Sequence, residues 1–171
     1  MLTKTDIEKY FMAEKQSGLI FFIIGIVAVV LALVLFFALR TQLSKGATIP
    51  LLLLGVIELV IGFGIYRGSD GDRLRNVYAY DMNPQELKQQ ELPRMQKAAK
   101  SIALFKWSEA AFLIVGIVLI LVYRNQPDKA FWFGLGIALA IQSLVMLSAE
   151  ITAEKRARAY TSKLEAFAKA T

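Results

Sequence analysis

The chain has 171 residues, 56% of them hydrophobic and 20% charged, with 20 Lys and Arg against 14 Asp and Glu. It has no cysteine and no histidine, which excludes disulfides, thiol catalysis and thiolate metal sites and removes the commonest general base and metal ligand. The mean hydropathy of +0.50 is above that of a soluble domain, and a pI near 9.6 is what a membrane protein with basic cytoplasmic segments gives, so no nucleic-acid partner is expected.

Residues 1–17 carry Asp6, Glu8 and Glu14, and no small-residue cleavage site follows the next apolar run, so a cleavable signal is not expected. Thr5-Asp-Ile-Glu8 reads as a capping box, and Ile7, Tyr10 and Phe11 share a helical face. These features predict a short N-terminal interfacial helix on the membrane surface that leads into the first span, or an ordinary span-preceding helix. Residues 18–66 predict a first transmembrane hairpin. Its first span, Gly18 to Leu39, has no charge and reaches about 33 Å at ~1.5 Å per residue, enough for a hydrocarbon core of roughly 30 Å. Gly25, Ala28 and Ala32 make one face small enough for close helix packing. Arg40 to Gly46 predicts a short turn, and the second span runs from about Ala47 to Tyr66 with Pro50 in its first turn.

Glu58 stands near the middle of that second span, between Gly55 and Gly62 on one face. A narrow strip of this kind lets another backbone approach or leaves room for water or a ligand. An ionised group near the bilayer centre costs at least ~2.5–3.5 kcal/mol, so Glu58 should face protein or a wet cavity.

Residues 67–100 predict a cytoplasmic helical linker. Arg67-Gly-Ser-Asp-Gly71 reads as a loop, followed by a short helix over 72–82. Asn83-Pro-Gln-Glu86 is a second helix start, and Pro93 should break or kink that helix. Residues 101–149 predict a second hairpin. The uninterrupted apolar run of its first span, Ala110 to Tyr123, is short, which draws Lys106 and Glu109 into the span as a pair along one helix. Arg124 to Lys129 is a tight turn. The fourth span, about Ala130 to Ala149, carries Gly134, Ala138 and Gln142 at spacings of four, with Gln142 the one mid-span amide. Residues 150–171 continue as a cytoplasmic C-terminal helix with Ala153, Ala157, Tyr160, Leu164 and Phe167 as its apolar stripe.

The predicted fold class is therefore all-α: an integral membrane four-helix bundle of two transmembrane hairpins with cytoplasmic amphipathic extensions. Sixteen basic residues fall in residues 1–17, 67–106 and 150–171 and four in the two short turns, which places both termini and the middle segment in the cytoplasm. A bacterial inner (plasma) membrane is the expected location. Both halves share one plan, and a shift of 82 residues brings Asp72-Arg73 onto Glu154-Lys155 and Tyr78 onto Tyr160, a weak sign of a parallel repeat.

No phosphate-binding or dinucleotide loop is present, and Ser108 beside Lys106 points the wrong way to be activated by it. Asp70 and Asp72 read as helix-capping acids. No enzyme activity and no cofactor are expected. The candidate intramembrane polar site is Glu58 with Gln142 as its partner across the helices; Lys106 and Glu109 are weaker candidates. Two functions are open. One is a non-enzymatic scaffold, accessory or partner-binding protein, an immunity protein among them. The other is a small proton- or cation-coupled transporter or channel subunit that uses Glu58. Expected partners are anionic lipid headgroups at the cytoplasmic face and a second copy or another membrane protein.

Overall fold

The computed structural model describes residues 2–170; Met1 and Thr171, the outermost residues of the first and last predicted segments, lie outside them. The described chain is helical with no strand. Four helices account for it: α1 (Lys4–Leu39), α2 (Gln42–Met82), α3 (Pro84–Tyr123) and α4 (Pro127–Ala170), each long and apolar enough to cross a membrane. At ~1.5 Å per residue the 41 residues of α2 extend about 60 Å, twice the roughly 30 Å of a hydrocarbon core. The surplus projects at one end. There the polar segments of all four helices gather into a head, and the two connections Arg40–Thr41 and Arg124–Gln126 lie at the other, turn end.

Several boundaries differ from the sequence expectation. The capping box is Thr3 with Asp6, not Thr5 with Glu8: Asp6 N donates to Thr3 Oγ1 at 3.2 Å and Thr3 N to Asp6 Oδ2 at 3.0 Å. Starting there puts Leu2 just before the cap and Ile7 one turn in, and both are buried in the head core as a hydrophobic staple. Residues 4–17 are the first turns of α1 and run without a break into the apolar stretch that follows. The first connection is shorter than the predicted Arg40–Gly46 turn. Arg40 closes α1 in the left-handed region (φ 51°), and Thr41 caps α2 by accepting from Ser44 N at 3.1 Å. Pro50 accordingly lies well inside α2.

The predicted loop at 67–71 is helix. Gly68 and Gly71 face open space, while Ser69, Asn76 and Ala79 form a buried stripe. That burial outweighs the weak helix propensity of the glycines. Pro93 neither ends nor interrupts α3. The turn before it, Leu87–Glu91, is π-helical, and the wider turn absorbs the missing N–H and the clash that the ring makes with the carbonyl four residues back.

α1 packs along α2, and α3 along α4, as two hairpins; α2 and α4, which both run from the turn end to the head, join them. Gly25 lies so close to α2 that a Cβ there would sit 2.5 Å from Leu59 N, so the Gly55–Gly62 strip serves backbone approach to α1. At the turn end the α2–α4 crossing is reciprocal. A Cβ on Gly46 would collide with the Phe131 carbonyl, and one on Gly134 with the Leu43 carbonyl. Gly46 and Gly134 are 88 residues apart, as are Leu43 and Phe131, so this contact relates the hairpins by an offset of 88 rather than 82. Tyr78 and Tyr160, the match at 82, are 64% and 3% exposed and do not occupy equivalent places.

The head is closed by Leu2, Ile7, Phe11, Leu87, Met95 and Leu164 around Tyr160, whose ring stacks on Tyr10 at 4.2 Å. The C-terminal stripe thus packs on the other head helices. Ion pairs rim it: Lys4–Asp81, Lys15–Asp70, and Lys163–Asp6 at 2.6 Å.

Candidate functional site

Glu58 projects from the buried side of α2 and is 5% exposed. Gln142 on α4 meets it, with Nε2 at 2.8 and 2.6 Å from the two carboxyl oxygens. The partner expected for Glu58 is the one it has. A buried carboxyl left without a donor would cost roughly 1–3 kcal/mol or more, so the pair holds α2 to α4 at mid-height.

From the level of Glu58 to the head, all four helices contribute side chains to a cavity of about 320 Å³. α2 gives it an apolar wall of Leu54, Ile57, Ile61 and Ile65, spaced three and four apart. Phe105 of α3, Phe21 of α1 and Met146 of α4 face that wall.

Three carboxyls line the cavity: Glu58 from α2, Glu109 from α3 and Glu150 from α4. They are near enough for their charges to interact. Glu109 lies beside Ser143. Glu109 Oε2 and Glu150 Oε2 are buried and have no hydrogen-bond partner among the described residues. No group of three Asp or Glu among the described residues is close enough to hold a metal ion, so the acids are spread around the wall.

The sequence pairing of Lys106 with Glu109 is corrected. Lys106 Nζ reaches α4 and bonds Glu154 Oε2 at 2.6 Å, Arg158 Nη2 bonds the other oxygen, Oε1, at 2.6 Å, and Glu109 turns into the cavity. Two cations hold the Glu154 carboxyl below the usual range, Lys106 most strongly. Lys106 is thus a tie between α3 and α4 and lies outside the cavity lining.

The head end of the cavity is closed by charge. Arg94 bonds Glu91 through Nε at 2.7 Å and Nη2 at 2.8 Å, stands 3.8 Å from Asp72, and lies over the Phe11 ring at 5.4 Å. Glu14 borders it, accepting from Tyr10 Oη at 3.1 Å. Burial pushes the Glu14 carboxyl up, with the Arg94 charge pulling the other way. Burial works against the Arg94 charge as well, but Glu91, Glu14 and Asp72 outweigh it.

Sequence reasoning missed Glu150, Glu14 and Arg94. Glu150 follows the last apolar residue and reads as the start of a tail. The signal was its spacing: Gln142, Met146 and Glu150 recur at four and continue the polar row of α4 into the cavity. No family model, no curated protein and no solved structure matches this chain.

Proposed function

We propose that this chain is a small polytopic membrane protein, with both termini and residues 67–106 on the cytoplasmic side, that takes up a proton or a cation in its acid-lined cavity as a transporter or channel subunit. The observation that carries this reading is the convergence of Glu58, Glu109 and Glu150 on one largely apolar cavity. A single intramembrane carboxyl serves well as a hydrogen-bonded strut, as Glu58 does with Gln142. Two further carboxyls with buried, unpartnered oxygens add nothing to such a strut, and ionisable groups at this depth mark ion or proton pathways. The orientation draws on the sixteen basic residues of the head against four at the turn end, which suits a plasma membrane with anionic headgroups on its inner face.

The test is reconstitution into liposomes with an imposed pH gradient and an internal pH dye. Wild type should dissipate the gradient faster than empty vesicles, and Glu58→Gln and Glu150→Gln should slow it while circular dichroism and gel filtration stay unchanged. Absence of flux at every pH, with silent variants, would sink the reading.

The non-enzymatic scaffold draws on another observation. Only 6% of the most apolar 18-residue window of α3 is buried within the molecule, against 39% for α4. A second copy or another span has that surface to cover. One stoichiometric partner recovered from native membranes would favour this role.

A further inference from the structure

The cation-uptake reading leaves the guest open, and the cavity narrows it. A volume of about 320 Å³ is roughly the liquid share of ten waters, much more than one desolvated metal ion needs. The acids are too dispersed to be a metal cage. The guest must therefore have a body, and Leu54, Ile57, Ile61, Phe105 and Met146 offer that body apolar contact.

Its charge follows from what the polar groups can do. Glu150 is 7% exposed, and its Oε2 is buried, unpartnered and on the cavity wall. Glu109 Oε2 is in the same state. Carboxylates only accept hydrogen bonds and attract positive charge. Arg94, the one cationic side chain lining the cavity among the described residues, is engaged by Glu91 and Asp72 at the head end. An anion would meet three repelling acids, and a neutral hydrocarbon would leave Glu109 Oε2 and Glu150 Oε2 unsatisfied.

The route in is also visible. Beyond its first turns α3 packs on α4 and forms no comparable face with α2. Ile57 and Ile61 on one side and Phe105 on the other line the cavity and are exposed large apolar side chains, not covered by the facing helix. The mouth is thus an apolar slot in the side of the bundle, between α2 and α3.

We infer that the cavity binds a monovalent organic cation with an apolar body, a lipophilic ammonium, that enters sideways between α2 and α3 and sets its charge among Glu58, Glu109 and Glu150. This rests on the cation-uptake reading and specifies its guest.

The experiment is calorimetric titration of the full chain in detergent micelles. The probes are benzyltrimethylammonium, its uncharged carbon isostere neopentylbenzene, the anion phenylmethanesulfonate, and tetramethylammonium, which lacks the apolar body. Benzyltrimethylammonium should bind about tenfold or more tighter than each of the other three, a step of roughly 1.4 kcal/mol. Glu150→Gln should weaken it about tenfold, and Glu109→Gln provides the same comparison should the first variant fail to fold. Because the chain has no cysteine of its own, Phe105→Cys gives a single thiol at the mouth, whose alkylation by a lipid-soluble maleimide bound ammonium should slow.

Equal binding of the neutral isostere, tighter binding of tetramethylammonium, or indifference to both Gln variants overturns the inference. If Glu58-dependent proton flux appears in liposomes while benzyltrimethylammonium does not bind, the guest is wrong and the uptake reading stands. If neither appears, both fall.

Discussion

The same two helices, α2 and α4, meet in two different ways along their length. At the turn end Gly46 and Gly134 bring backbone against backbone with no side chain between. Twelve residues further along α2 and eight along α4, Glu58 and Gln142 hold the helices apart at the span of two polar side chains, and beyond them the cavity opens. Small residues make a joint that transmits shape and admits nothing. Larger polar residues at the same interface make a pair that still binds the helices and leaves space beside it. The difference between seal and cavity is thus a difference of side-chain volume on one continuous interface.

The comparison can be broken most severely at the seal. Gly134→Leu should cost more than the 1–3 kcal/mol of ordinary overpacking, because the obstruction is the Leu43 backbone, and should appear as loss of the monodisperse species on gel filtration in detergent. Next comes the charged lid of the cavity. Arg94→Met leaves Glu91 and Glu14 without their guanidinium and should cost about 3–5 kcal/mol, read as a lowered midpoint in thermal circular dichroism. The mid-height pair should be milder. Gln142→Leu strands the Glu58 carboxyl at roughly 1–3 kcal/mol, and adding Glu58→Leu should restore much of the loss, which a double-mutant cycle measures directly.

A smaller effect is pH-dependent and belongs to the head. Burial raises the Glu14 carboxyl above its usual value, so the folded chain holds that proton more tightly than the unfolded one. Its contribution is full below the ordinary carboxyl range near 4.5 and is lost as pH climbs through the raised value. Asp70 and Glu154, held low by Lys15 and by Lys106 with Arg158, act oppositely, their contribution fading as pH falls. Melting curves of wild type and Glu14→Gln should therefore converge in acid and separate toward neutrality, with the variant the more stable.

Much of this was legible in the residues. Three apolar runs of full length and a shorter fourth announce four long helices, and glycines and alanines at three and four spell out which faces touch, because both signals are local. The Glu58–Gln142 contact was readable for a related reason: two polar groups in mid-span have few alternatives. The cavity was not legible. It arises among side chains of all four helices, which no local pattern records, and two of its groups, Glu150 and Arg94, sit outside the apolar runs. Nor was the continuity of α2 through Gly68 and Gly71 readable, since it is decided by what Ser69 and Asn76 meet across the head.

The unbroken length of α2 and α4 turns the glycine crossing into a pivot. From Gly46 to Glu58 is about 18 Å along the helix, and from Gly46 to Met82 about 54 Å. Two stiff rods crossed near one end behave as tongs with arms in a ratio of about three. Spreading the head tips by about 3 Å parts the helices by about 1 Å at the level of Glu58. Lys163–Asp6, Lys4–Asp81 and the stacked tyrosines sit where the handles would be held, far from the carboxyls yet mechanically joined to them.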